Sequence, residues 1–395
     1  MSEGPVQLSG LSAEAGRPRA YLDNAASAPL LPAAGEAMAR ALGVVGNPHA
    51  LHGSGRAARR VLEDARESLA ADLGARPAEV VFTSGGTEAN NLALVGGLRG
   101  HRALDPQRRR LVISAVEHPS IDGVRRRWSA RTDVLGVDPD GVVEVARLER
   151  ALGPGVALVS VMAINNETGT AQPVAALADA ARRAGAWSHT DAVQAIGHQP
   201  VDFAGWGVDA LTLSAHKVGG PVGIGALVVR RERPFAALGF GGGQERKLRS
   251  GTLPHALAAG FAAAVRRAVA TAAEEELRLG GLRQRLVSGV LAAIPDARVN
   301  GAPGSPAIVN ITLPSARADD VLLLLDRDGV DASTGSACTA GVHQPSHVLL
   351  AMGRSLEVAS GSLRFSLGWS TTAADVDRLL AALPGAVAAA RLAFH

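Results

Sequence analysis

The chain has 395 residues, enough for two or three domains and a large core, with 47% hydrophobic and 19% charged residues and no long polar tract. A sequence pI of 9.7 goes with a formal charge of only +3, which gives no licence for nucleic-acid binding, and Arg108-Arg109-Arg110 and Arg125-Arg126-Arg127 read as solvated edges. A single cysteine, Cys338, excludes an intramolecular disulfide and a cysteine-rich zinc site and suits a reducing compartment.

In chain order, residues 1–20 carry Glu3 and Glu14 and no apolar stretch, so a frayed leader is expected in place of a secretory signal. Tyr21 to Pro29 leads from a short strand into a turn, and Pro32 opens a helix through Met38 and Leu42. A second helix runs from about Arg56 to Leu73. Strands and helices then alternate: Val80 to Thr83 is a strand, Ser84-Gly85-Gly86 a turn and Thr87 to Leu98 a helix. Further strands are read at Leu111 to Val116, Val156 to Ile164, Ala186 to Thr190, Val208 to Leu213 and Ile224 to Val229, with a helix from Pro173 to Ala184. Apolar strands separated by helices predict a mostly parallel sheet covered on both faces.

After Gly241-Gly242-Gly243 the texture changes. Pro254 to Ile294 is helical, with Leu257, Phe261 and Val265 at four-residue spacing and a break expected at Gly280-Gly281. Ala307 to Leu313 and Leu363 to Leu367 read as strands flanking a Leu-rich helix after Ala318. The organisation expected is a large α/β domain over residues 21–253, with 21–28 able to pack on the other unit, and a connecting helix with a smaller α+β domain over 254–395. No stretch of about 18 apolar residues occurs, so a soluble cytoplasmic protein is expected.

Only two of the forty Lys+Arg residues are lysine, Lys217 and Lys247. A guanidinium cannot form a Schiff base, whereas a desolvated amine can. Lys217 follows a buried-looking strand and precedes Gly219-Gly220, which puts it at a strand end, where open α/β sheets bind ligands. A snorkelling surface lysine is the ordinary alternative. Ser84-Gly85-Gly86-Thr87 sits between a strand and a helix N-terminus, where free N–H groups favour a phosphate, although such turns are often Gly-rich for geometry alone. Asp191 follows another apolar strand and is either a helix cap or a partner for a protonated ring nitrogen. Asn166 and His118 end two more strands. Together these groups suit pyridoxal 5'-phosphate, which needs an amine, an acid for its pyridine nitrogen, a flat group over the ring and a phosphate cradle.

Cys338 lies in the small, polar stretch Ser333 to Gly341, without apolar neighbours to be buried with. An accessible thiol suits nucleophilic work if something nearby stabilises its thiolate; His343 and His347 are candidates, and surface polarity explains them equally well. Arg364 is a charge on an otherwise apolar strand and calls for a carboxylate, of which a substrate's is one candidate.

Tyr21 to Pro29, Phe82 to Asn91, Glu117-His118-Pro119, Asn165 to Thr170, Asp191 to Ala195, Ser214 to Gly220, Arg249 to Thr252, Gly335 to Thr339 and Arg364 to Gly368 resemble, in order, the pyridoxal-phosphate-dependent cysteine desulfurases. The resemblance runs from about Tyr21 to Thr372, and Cys338 to Gly353 is similar to the longer catalytic loop of the housekeeping and nitrogen-fixation branch. It implies a fold type I enzyme, with a mostly parallel seven-stranded sheet in the large domain. Lys217 is implied to carry the cofactor and to serve as Cα base, Asp191 to pair with the ring nitrogen, His118 to stack on the ring, and Asn166 and Gln194 to contact its side. Gly86, Thr87, Ser214 and His216 are implied to hold the phosphate, with Thr252 reaching in from the partner of a homodimer. Arg364, with Asn166, is implied to bind the substrate carboxylate, and Cys338 to take sulfur from L-cysteine as a persulfide, leaving L-alanine. The implied recipient is a sulfur-acceptor protein such as an iron–sulfur cluster scaffold or a thiolation protein. Ser27-Ala28 and Trp369-Ser370 depart from the family pattern without touching an implied catalytic role. An aminotransferase that ignores Cys338 and a cofactor-free sulfur-transfer scaffold are the competing readings.

Overall fold

A computed structural model describes residues 19–128, 131–335 and 344–393. The apolar runs of the first two thirds form β2 to β8, after a two-residue strand β1 (Ala20–Tyr21). These are β2 (Val80–Thr83), β3 (Arg110–Ser114), β4 (Thr132–Leu135), β5 (Val156–Ser160), β6 (Trp187–Asp191), β7 (Ala210–Ser214) and β8 (Gly225–Val229). They build one seven-stranded sheet in the order β2-β8-β7-β6-β5-β3-β4, parallel except for β8, which runs against both neighbours. The carboxyl ends of the other six strands therefore lie along one edge.

Alternation along the strands feeds a core on each face. On β7, Leu211 and Leu213 join Phe82 and the helices Gly53–Asp72 and His255–Ala270, while Ala210 faces Leu111, Trp187 and the helical stretch after Gly86. Phe261, fully buried and four residues from Val265, contributes roughly 2–3 kcal/mol by leaving water. The helix after β2 is longer than its apolar spacing indicates: it runs through Gly86–Asn91, a π-helical turn Leu92–Gly96 and Gly97–Leu104.

A second core belongs to the C-terminal part. β9 (Arg298–Asn300), β10 (Ile308–Thr312) and β12 (Ser362–Ser366) form an antiparallel sheet in the order β12-β10-β9; β11 (Val330–Asp331) instead pairs in parallel with β1. The helix Ala373–Ala393 packs there through Val376, Leu379, Leu383 and Val387. Leu22 and Ala25 are part of the same core.

The long helix does not break at Gly280-Gly281. It bends by 73° at Thr271, between His255–Ala270 and Ala272–Ala293, and the glycines lie within the second segment. The reason is burial. Phe261 and Val265 belong to the large core, Leu279, Leu286 and Val290 to the small one, so the chain must change direction where it passes between them. Among the described residues no single helix is long and apolar enough to cross a membrane.

Candidate active site

The edge formed by the strand ends holds a cavity of about 410 Å³. β2 delivers Gly86 and Thr87, β3 His118, β5 Asn166, β6 Asp191 and Gln194, and β7 Ser214, His216 and Lys217, all lining that cavity. Its opposite wall is Arg364 from β12, with Ser333, Gly335 and His347. Thus eleven of the fourteen residues singled out in the sequence meet, His347 among them. Thr252 is exposed and does not line the cavity, and Cys338 lies outside the described residues, as does His343.

Lys217 Nζ donates to Ala25 O at 2.6 Å and Ala26 O at 2.7 Å. Burial lowers its pKa to about 8, helped by the Arg364 charge and opposed by Asp23 and Asp191. Asp191, 5% exposed, accepts from Val193 N at 3.0 Å through Oδ1 and from Asn90 Nδ2 at 2.7 Å through Oδ2. The His118 ring accepts Ser120 N–H at Nδ1, 3.1 Å away, which caps the helix Pro119–Arg127 and leaves Nε2 as the protonated nitrogen of the neutral ring. Burial holds its pKa below the usual histidine value, against the pull of Asp191. His216 is lowered to about 4, first by burial and then by Lys217.

Several contributors escaped the sequence reading. Asn90, one turn after Gly86 and Thr87, also donates to Ser120 Oγ at 2.9 Å, and so ties Asp191 to the His118 turn. Helical spacing from Gly86 was the available signal. Glu117 is fully buried and accepts from Ser114 Oγ at 2.6 Å and Met162 N at 2.9 Å, and burial raises its pKa to about 8. Its own carbonyl accepts from His347 Nε2 at 3.0 Å.

On the opposite wall, Arg364 is only 4% exposed. Nη1 donates to Asn166 O at 2.9 Å and Nη2 to Asp23 Oδ1 at 2.6 Å; Nε has no hydrogen-bond partner among the described residues. Ser333 and Arg364 exchange backbone hydrogen bonds, and Ser346 Oγ donates to Glu167 Oε2 at 2.5 Å. Of the two departures from the family pattern, Ser27 Oγ lies 3.2 Å from His216 Nδ1 and Trp369 Nε1 donates to Pro29 O at 2.9 Å, so both meet at the 27–29 turn.

Residues 20–379 match the aminotransferase class-V family. The chain belongs to that family. It is 48% identical over 383 residues to an IscS-like cysteine desulfurase of Mycobacterium tuberculosis, covering 95% of this chain and 98% of the relative. A cysteine desulfurase of Cereibacter sphaeroides is 44% identical over 383 residues, at 93% and 95% coverage. A solved NifS-like protein superposes with a TM-score of 0.86 at 32% identity, covering 94% of this chain and 99% of that one. Class-V aminotransferases and cysteine desulfurases are pyridoxal-phosphate enzymes, so the cavity can be tested for fit.

It fits on three counts. A Cβ on Gly86 would come 3.1 Å from a Val193 methyl and 3.5 Å from Ser214 Cβ, so a side chain there would crowd the cavity wall, which glycine leaves as bare backbone. The desolvated amine of Lys217 and the fixed carboxylate of Asp191 share one enclosure, as an amine-seeking aldehyde and a basic ring nitrogen require. The cavity's size lies within the range of small-molecule sites.

Proposed function

We propose that this chain is a pyridoxal-phosphate-dependent cysteine desulfurase, converting L-cysteine to L-alanine and placing the sulfur on Cys338. The observation that carries the reading is the meeting of Lys217 and Arg364 in one cavity with Gly335 and His347, which bracket the stretch holding Cys338. Cys338 is three residues beyond Gly335, and three residues span at most about 11 Å. An aminotransferase has no use for a thiol tethered there.

Bound in the cavity, pyridoxal phosphate supplies an aldehyde that takes up an amine and a ring that accepts the electrons released at the substrate's Cα. Lys217 would hold that aldehyde, and its lowered pKa suits its amine to take the Cα proton. Asp191, its two oxygens fixed by Val193 and Asn90, holds the proton of the ring nitrogen. His118, oriented by Ser120, would stack on the ring, and Asn166 and Gln194, which line the same cavity, would contact its side. Gly86, Thr87, Ser214 and His216 receive the phosphate, joined by Thr252 of a second copy in a homodimer. Arg364 binds the substrate carboxylate. The Cys338 thiolate then attacks the substrate sulfur: an S–S bond forms, the C–S bond breaks, and its electron pair stays with Cβ, which is protonated; with the Cα proton also returned, the product leaves as L-alanine. The persulfide passes to a sulfur-acceptor protein, such as an iron–sulfur cluster scaffold, in the cytoplasm.

The test is incubation of the purified holoenzyme with L-cysteine and a reductant, measuring alanine and sulfide. Cys338→Ser is expected to keep the cofactor absorbance and lose sulfide production. Undiminished desulfuration by the variant, or a requirement for a keto acid, overturns the reading.

A further inference from the structure

Arg364 does not face the cavity as a free cation. Its buried guanidinium is paired with a half-buried acid: Nη2 to Asp23 Oδ1 is 2.6 Å, and the two side chains are 5% and 22% exposed. Nη1 is engaged by Asn166 O, which leaves Nε as the buried donor without a protein acceptor among the described residues. Asp23 is itself fixed from outside the cavity. It follows β1, which pairs with β11; Asp23 bridges to Ser366 of β12; and Asn24 N and Nδ2 both donate to Ser366 O. An acid this well seated can do two things to an arginine that binds a carboxylate: it can aim the guanidinium, and it can cancel part of its charge.

The reaction gives the second effect a purpose. Substrate and product are both α-amino acids, so the arginine holds the same carboxylate before and after the chemistry. Tighter binding of both adds uniform affinity and delays product release without lowering the barrier. We infer that Asp23 is a positioning and tuning residue for Arg364: it fixes the direction of the guanidinium and weakens its hold on α-carboxylates, so that L-alanine leaves. The inference rests on the assignment of Arg364 to the substrate carboxylate. The influence of Asp23 extends across the site, since its charge favours the protonated form of Lys217 while Arg364 disfavours it.

Aim and charge can be separated by two substitutions that should act in opposite directions. Asp23→Asn keeps an oxygen acceptor for Nη2 and removes the charge. Asp23→Ala removes both. L-Alanine is titrated into each holoenzyme by calorimetry, and KM and kcat for L-cysteine are measured alongside. Asp23→Asn is expected to bind L-alanine roughly tenfold more tightly, with KM lowered by a similar factor and kcat no higher than wild type. Asp23→Ala is expected to weaken L-alanine and raise KM by roughly tenfold, as the unaimed guanidinium loses its direction. A residue that merely supports the fold would move both variants the same way, in step with their melting temperatures. Equal weakening in both, or no change in either, overturns the inference; if Asp23→Ala fails to fold, Asp23→Asn decides alone, and anything other than tighter L-alanine binding overturns it. Arg364→Ala separates the two levels. If it binds L-alanine like wild type, the carboxylate assignment itself fails; if it loses L-alanine while the Asp23 variants behave like wild type, only the role of Asp23 falls.

Discussion

The two walls of the cavity are held by different means. On the sheet wall, Asp191 ends β6, Lys217 stands three residues beyond β7 and His118 four beyond β3, so the position of each is set by a strand whose register with its neighbours is fixed. On the facing wall, Arg364 is aimed by Asp23, Asn166 and Ser333, which come from three separate parts of the chain. Strand ends alone place the sheet wall; on the facing wall β12 places Arg364, and tertiary contacts aim its guanidinium. If the proposed roles hold, substitution of Lys217 or of Asn90 should therefore damage cofactor chemistry and leave carboxylate binding at Arg364 intact.

The largest effect expected on the sheet wall is from Lys217→Ala, with kcat falling by at least about 10⁴-fold through loss of both anchor and base. Borohydride reduction followed by peptide mapping should label Lys217 in the wild type and nothing in the variant; label on Lys247 would contradict the assignment. Asn90→Ala sharpens the comparison, because it leaves Asp191 without one of its two donors. Since hydrogen bonds to charged groups are worth about 1.5–3 kcal/mol, a loss of at least about tenfold in kcat or cofactor affinity is expected. L-Alanine binding to the loaded fraction should stay as in wild type, and a parallel loss would show that the walls are not separable. The smallest effect is expected from Glu117→Gln. Burial keeps Glu117 protonated up to about pH 8, so its neutral isostere should change kcat at pH 7 by less than about threefold. Thermal melts give the sign: between about pH 4.5 and 8 the native protein holds a proton that the unfolded chain has released, so this carboxyl lowers wild-type stability as pH rises. The variant lacks that slope, and its advantage should widen up to pH 8 and then level off. A constant difference in melting temperature across that range would show that Glu117 is ionised throughout.

The same contrast explains what the sequence could reveal. Val80 to Thr83 was readable to the residue because an unbroken apolar run flanked by turns has few alternatives, and Lys217 and the Gly86 turn follow such runs. β4 carries no such signal: Thr132–Leu135 is an edge strand with only Leu135 buried. Gly280-Gly281 points to the wrong place for the bend, which falls at Thr271, because chain flexibility is a local property whereas the choice of which core each half enters is not. Arg364 was legible as a misplaced charge, but its partner was not. Asp23 stands 341 positions away, and no periodicity connects them.

That separation sets an order of events during synthesis. The seven-stranded sheet and the helices behind it are complete by Ala270, so the sheet wall can assemble while the remainder is still being translated. β1 and Asp23 emerge first, yet their partners Val330, Asp331, Arg364 and Ser366 come at the end. At 5–20 residues per second the N-terminal segment waits for them on the order of ten seconds after the sheet is complete. A nascent chain can therefore bring His118, Asp191 and Lys217 together well before Arg364 has the strand and the acid that place and aim it.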